Sequence, residues 1–177
     1  MATLTYDTIW KRLGISEGGW QADPEDKGNW TGGKVGVGEL KGSKFGISAA
    51  TYPNEDIKNL TPERAKEIFR TDWWERLKMD RLPMALAYQV IDAAYHSGSH
   101  WSSVFLQRAL GVKADGIIGK DTLAALAKVK DLDNVFFNFF AERLEFLVDT
   151  VAWKTYSRGF ILRVARNMRY AAMDYEG

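Results

Sequence analysis

The chain has no cysteine among its 177 residues. That excludes a disulfide scaffold, a thiol nucleophile and a cysteine-ligated zinc. It has no charge excess either: 24 Lys+Arg stand against 23 Asp+Glu, for a net +1. A dedicated nucleic-acid binder carries a clear basic surplus, so the balance argues against that class. No apolar run approaches the ~20 residues of a membrane span. The opening, MATLTYDTIWKRLGISEGGW, lacks the basic stretch and apolar run of a secretory signal. Synthesis in the cytosol, solubility there and no stable membrane insertion are expected. There is no G-x-S-x-G elbow, no H-E-x-x-H motif and no internal repeat.

What is present is aromatic and helical. Seven Trp, seven Tyr and nine Phe serve either as core or as flat surfaces that stack on sugars. Apolar spacing predicts a helix from Thr5, with Gly14 a first break and Gly18-Gly19 the stronger stop. Thr61-Pro62-Glu63 reads as an N-cap opening a helix to about Leu77. Further helices are expected at Met84 to His96, Trp101 to Leu110 and Lys120 to Val129. Two more follow, from Asp131 or Asp133 to Ala152 and from Ser157 to Asp174. Phe136, Phe137, Phe139, Phe140, Leu144, Leu147, Val148 and Val151 form an apolar stripe read as core. In the last helix Phe160, Ile161, Val164, Met168 and Ala171 are expected inward. Seven of the sixteen glycines fall between Gly28 and Gly46. That segment cannot be helical, and short strands are expected at Lys34 to Val37 and Lys44 to Ile47.

Two carboxylates open the glycine-rich segment. Glu17 is expected near a helix C-terminus, whose negative dipole end disfavours the anion. Asp26 follows in a polar loop. Glycoside hydrolysis needs such a pair: a protonated acid for the leaving oxygen and a carboxylate for the water or the cationic centre. Acid pairs also occur as ordinary solvated surface residues. His96 and His100 lie four apart, with Asp92 extending the row. This raises a rival class, a metal-dependent amidase or endopeptidase. Ser97-Gly98-Ser99 breaks the helix between the histidines, and no further histidine completes a zinc site. Lys154, Arg158, Arg163, Arg166 and Arg169 form a basic stretch without an acid between Asp149 and Asp174. It reads as a solvated face, or as attraction to an anionic wall or to phospholipid head groups.

The ordered motifs resemble the family 108 glycoside hydrolases, the peptidoglycan-degrading lysozymes (N-acetylmuramidases) of phages and bacteria. They run from Glu17-Gly18-Gly19-Trp20 through Asp26-Lys27-Gly28 to Ser43-Lys44-Phe45-Gly46-Ile47. Asp72-Trp73-Trp74 and Asp92-Ala93-Ala94-Tyr95-His96-Ser97-Gly98 continue them. Leu106-Gln107-Arg108-Ala109-Leu110-Gly111 and Asp115-Gly116-Ile117-Ile118-Gly119 then resemble the peptidoglycan-binding lobe attached to that family.

The resemblance implies a mainly α, lysozyme-like α+β fold: a helical body with a small glycine-rich β-hairpin near the N-terminus. It implies a catalytic region over 1–90 and a helical peptidoglycan-binding lobe over 91–177, packed as one compact unit. Glu17 would be the general acid. Asp26, nine positions on as in the similar T-even phage lysozymes, would hold water or stabilise charge. Ser43 stands where those enzymes carry a threonine, and Thr31 competes as the hydroxyl donor. Trp20, Trp30 and Tyr52 are expected to stack on sugar, with Trp30 on a hairpin between Asn29 and Gly42. Asp92, His96, Gln107 and Asp115 are expected at the substrate, His96 standing where many relatives have asparagine. No cofactor and no metal are expected. The implied reaction breaks the β-1,4 bond between N-acetylmuramic acid and N-acetylglucosamine. Inversion is favoured because the longer loop leaves room for water, whereas carboxyls ~5 Å apart would mean retention. The implied setting is a monomeric phage endolysin, made in the host cytoplasm and released by a holin onto periplasmic peptidoglycan. A bacterial muramidase for holin-dependent secretion and a non-catalytic wall-binding module are the alternatives.

Overall fold

The computed structural model describes residues 4–14 and 18–175. It is mainly helical, with one small two-stranded antiparallel sheet among the described residues. The chain forms two compact units, which divide at Asp72/Trp73.

In the first unit, α1 (Tyr6–Leu13) starts at an N-cap, the Thr5 hydroxyl accepting from the Thr8 N–H at 3.2 Å. It stops at Gly14, which adopts the left-handed conformation at φ 67°. The earlier of the two glycine breaks therefore ends α1, with the Gly14 N–H on the Lys11 carbonyl. Ile9, Trp10 and Leu13 form the buried face of α1. They share a core with α2 (Pro62–Phe69), where Trp10 meets Phe69 at a ring separation of 5.4 Å. The expected cap at Thr61 is present, accepting from Arg64 N–H at 3.2 Å.

Between these helices, β1 (Ser43–Lys44) and β2 (Ile47–Ser48) pair antiparallel. Phe45 and Gly46 link them, both at positive φ (52° and 75°). Two positive-φ residues make the tight turn whose twist matches a hairpin. The expected strand at Lys44 to Ile47 is thus the turn itself with one strand residue on each side. Lys34 to Val37 is a turn, not a strand: the Val37 N–H bonds back to the Lys34 carbonyl at 3.1 Å. The loop carrying it is held by an isolated bridge between Trp30 and Leu40 and by backbone bonds such as Thr31 N–H to the Glu39 carbonyl at 3.0 Å.

The helix expected to reach Leu77 ends at Phe69 and continues as one wide π turn, Arg70–Glu75. The Thr71 hydroxyl bonds to the carbonyls of both Glu67 and Ile68. A side chain competing for those carbonyls disturbs the regular ladder. Trp74, fully buried, then anchors the chain by donating to Asp80 at 2.7 Å.

The second unit is built around α3 (Met84–Ser97), buried without interruption from Ala85 to Ala94. A helix apolar on all sides is a central helix. Gly98, at φ 89°, breaks the chain into α4 (Ser99–Ala109). Then follow α5 (Lys120–Leu126), α6 (Asp133–Val148) and α7 (Trp153–Asp174). The Asp131 carboxylate accepts from the Asp133 N–H at 2.9 Å and opens α6. Phe136, Phe139, Phe140 and Leu147 are core, as expected of the stripe. Phe137, Val148 and Val151 are exposed, because α6 ends at Val148 and its apolar arc is wider than its buried face. Ile161 and Met168 of α7 are exposed too, leaving Val164 and Ala171 to face inward.

Inside this apolar unit sits one ionic cluster. Asp92 of α3, 1% exposed, accepts from Arg163 Nη2 at 2.7 Å and from Asn167 Nδ2 at 2.5 Å. The fully buried Arg143 of α6 lies against it, Nη2 to Oδ2 at 2.8 Å. Burial alone would raise the Asp92 pKa, but the Arg143 and Arg163 guanidiniums outweigh it and hold the carboxyl below its ordinary range. Tyr88 donates to Asn167 at 3.2 Å and extends the network. Asp92 is the one carboxylate that answers both arginines. Asp92→Asn should therefore cost about 3–5 kcal/mol, the scale for stranding a buried charge. Arg143→Met, which leaves Asp92 with Arg163 and Asn167, should cost distinctly less. Urea unfolding of both variants checks this, and equal losses would contradict the charge imbalance.

Candidate active site

The first unit holds the loop that carries Asp26. Glu17 itself lies outside the described residues. Asp26 is exposed and caps a short 3₁₀ turn, Lys27–Asn29, by accepting from the Gly28 N–H at 2.8 Å. The last residue of that turn, Asn29, is fully buried and pairs with Gln21 amide to amide. Asn29 Nδ2 donates to Gln21 Oε1 at 2.9 Å, and Gln21 Nε2 donates to Asn29 Oδ1 at 3.1 Å. Gln21 Nε2 also donates to the Ser43 hydroxyl at 2.6 Å. Backbone bonds run both ways between Gln21 and Ser43, at 2.9 and 2.8 Å. Asp26 and Ser43 thus hang on one hydrogen-bonded frame.

Thr31, the competing hydroxyl, sits elsewhere. Its oxygen accepts from the Glu39 N–H at 2.8 Å and closes the glycine-rich loop. Sequence reasoning passed over Gln21 and Asn29. Their signal was faint: two amides flanking the acid, in a segment otherwise too small and too polar to hold itself in place.

Among the aromatic candidates, Trp20 is 44% exposed, with its indole N–H donating to the Lys41 carbonyl at 3.0 Å. Beside it lies a cavity of about 390 Å³, lined by Glu39, Lys41, Asn54, Asp56 and Lys58 among others. One exposed ring face with acids, amide and amines around it is chemistry suited to a sugar. Trp30 and Tyr52 are not part of its lining. The Trp30 indole N–H donates to the Pro24 carbonyl at 2.8 Å, and Tyr52 follows the β2 turn with its backbone N–H on the Ser48 carbonyl.

Gly42 makes this packing possible. At φ 85° a Cβ there would lie 2.2 Å from the Gln21 carbonyl oxygen. Gly42→Ala should therefore push Gln21 off its frame. Hydrogen-exchange mass spectrometry should show the Gln21 and Ser43 amides exchanging at least tenfold faster, the effect of losing ~1.4 kcal/mol locally; unchanged protection would refute the close approach.

The remaining candidates belong to the second unit. Asp92 and Gln107 are corrected by their burial. Asp92 is held by the arginines described above. Gln107 is 1% exposed, with its amide spent on Asp115, Thr122, the Ile117 carbonyl and the Gly116 N–H. Both side chains tie the fold together and do not face a polymer outside. Asp115 is exposed, and hydrogen bonds from Gln107 and the Ile117 N–H lower its pKa. It forms the turn at Gly116, where a Cβ would collide with His100.

His96 and His100 face different neighbours. His100 packs on Gly116 and Trp101, whereas His96 meets Phe160 edge-on at 4.9 Å. No group of three His, Asp or Glu side chains among the described residues could hold a metal ion. Burial, aided by Arg143 and Arg163, lowers the His96 pKa from 6.5 to about 4. The unfolded chain then takes up a proton that the folded one refuses. Stability should fall as pH drops from 6.5 towards 4. Thermal melting across that window should show a smaller fall for His96→Asn than for the parent; equal slopes would count against it.

Residues 11–98 match the model of the glycosyl hydrolase 108 family. The first half of the chain belongs to the glycosyl hydrolase 108 family. Residues 101–170 match a predicted peptidoglycan domain. Glu17, Asp26 and Ser43 all fall within the glycosyl hydrolase 108 match. The two matches meet around Gly98, the break between α3 and α4, so α3 belongs to the first match in sequence and to the second unit in structure. Among 11 matching chains of solved structures is Brucella abortus SagA. It is 28% identical, with 97% of each chain covered and a TM-score of 0.76. No curated protein sequence matches. A glycosyl hydrolase 108 region joined to a peptidoglycan domain makes this a glycoside hydrolase acting on cell-wall peptidoglycan. None of its described helices is long and apolar enough to cross a membrane.

Proposed function

We propose that the chain is a lysozyme, hydrolysing the β-1,4 bond between N-acetylmuramic acid and N-acetylglucosamine. The observation that carries this reading is the frame joining Asp26 to Ser43 within the glycosyl hydrolase 108 match. Glu17 is the general acid that protonates the leaving oxygen. Asp26 accepts a proton from the attacking water, and Ser43 holds that water in place. Ser43 is favoured over Thr31 because Gln21 links it to the Asp26 turn, while Thr31 serves the loop. With its hydroxyl oxygen already accepting from Gln21, Ser43 keeps its own O–H to direct. Trp20 supplies a stacking face for a sugar ring, with Trp30 and Tyr52 as further contacts. His96, within the glycosyl hydrolase 108 match, and Asp115, within the predicted peptidoglycan domain, are the remaining substrate contacts. Water attacks from the face opposite the acid, with inversion.

The setting we infer is a monomeric phage endolysin, made in the host cytoplasm and passed to the wall through a holin lesion. The full-length likeness to a protein of Brucella abortus supports a second reading, a bacterial muramidase acting in holin-dependent protein secretion.

Digestion of purified sacculi, with mass spectrometry of the fragments, tests the bond. Muramic acid at the new reducing ends is the expected result; glucosamine ends or freed stem peptides would replace the reading. Glu17→Gln should lower turnover by about 10²–10⁴-fold, the contribution of a positioned general acid, in a protein that melts as the parent does. Near-parent turnover would remove Glu17 from its role.

A further inference from the structure

The second unit carries a cavity of about 340 Å³ beside α7, lined by His96, Tyr156, Gly159, Phe160, Arg163 and Arg166 among others. Its charge is unbalanced. No carboxylate lines it. Behind it, Asp92 is the one carboxylate among the described residues that answers both Arg163 and Arg143. None of the Arg143 guanidinium nitrogens makes a well-directed hydrogen bond to a described residue, its contact with Asp92 being an ion pair off the N–H direction. Arg166, on the exposed rim, has no ion pair or hydrogen bond among the described residues. Arg163 spends Nε and Nη2 on Asp92, which leaves its Nη1 and the Arg166 guanidinium as the donors for a carboxylate.

A glycine in the lining is the second observation. Gly159 stands inside α7, where glycine weakens a helix relative to alanine. Packing does not require it, since a Cβ there would meet nothing within 4 Å. What its missing side chain does is leave the cavity open. The rim is the third. Tyr156 is 61% exposed, and Phe160 is held edge-on by the His96 ring. Aromatic carbon beside these donors suits a small apolar group next to an acid. His96, kept neutral by burial, adds an uncharged hydrogen-bonding group.

We propose that this cavity binds a free carboxylate of the peptidoglycan stem peptide. Arg163 and Arg166 grip the carboxylate, and Tyr156 and Phe160 cover the adjoining alanyl methyl. The volume suits one or two amino-acid residues. The lining from Tyr156 to Arg166 falls within the predicted peptidoglycan domain. The proposal rests on the reading of the chain as a peptidoglycan hydrolase, and it adds that the peptide, not only the glycan, is recognised.

Calorimetric titration of the full chain with an N-acetylated stem tetrapeptide (L-alanine, D-glutamate, a diamino acid, D-alanine) tests it. Saturable one-site binding is expected. Arg166→Gln, which removes a charge-assisted contact, should weaken it about tenfold or more. Gly159→Leu, which puts a side chain of a better helix former at the lining, should do the same. The same peptide with its carboxylates amidated should not bind. Thermal melting reports whether each variant folds, and the exposed Arg166→Gln decides alone if Gly159→Leu does not. Absence of parent binding overturns the proposal. So do variants that bind like the parent, an amidated peptide that binds equally, or inorganic phosphate that competes at peptide concentrations. The two readings fail separately: stem-peptide binding needs no turnover, and turnover of sacculi by the parent needs no stem binding.

Discussion

One buried carboxylate organises the larger unit. Asp92 leaves the middle of α3 and meets side chains from α6 and α7, so three helices converge on a single anion. Apolar packing alone allows helices to slide by a fraction of a turn with little loss. An ion with directed partners does not, because each displaced contact leaves charge in a medium that solvates it poorly. The cluster thus sets the register of α7 against α3. The register in turn decides which α7 residues face outward, including the arginines and aromatics at the open cavity.

In the first unit the corresponding constraint is made of amides. Gln21 and Asn29 satisfy one another completely and pass their remaining hydrogen bonds to Ser43 and to the Asp23 carbonyl. A glycine-rich loop has little side-chain volume with which to hold itself. Paired amides give it shape without bulk, so an exposed carboxylate can stand on a fixed turn. The adjoining hairpin closes the arrangement, its positive-φ turn bringing Ser48 beside Ser43 while Gln21 forms a separate bridge with Ser43.

Much of the helical body was legible in residues with one strong preference. Thr61-Pro62 opens α2, Gly98 breaks α3 from α4, and Phe136, Phe139 and Phe140 lie in the core. What escaped depends on partners distant in sequence. Asp92 and Gln107 look like exposed polar residues until Arg163, 71 positions on, and the Asp115 turn are folded against them. Apolar spacing could not tell that Ile161 and Met168 face water, since a helix carries more apolar residues than its neighbours cover. Lys34 to Val37 alternates as a strand does, but its glycines favour a turn. At the site, Asp26 and Ser43 stood out by residue type, whereas the amides between them carried no pattern.

The uncovered apolar residues of the last two helices and the link between them have a colloidal consequence. Phe137, Val151, Leu162 and Met173 present apolar carbon to solvent on a chain whose isoelectric point is near 7.9. Close to that pH, molecules approach one another with little electrostatic repulsion, and exposed apolar patches are then free to adhere. A solubility minimum is accordingly expected just above neutrality, with mildly acidic buffer, where the chain is cationic, keeping molecules apart.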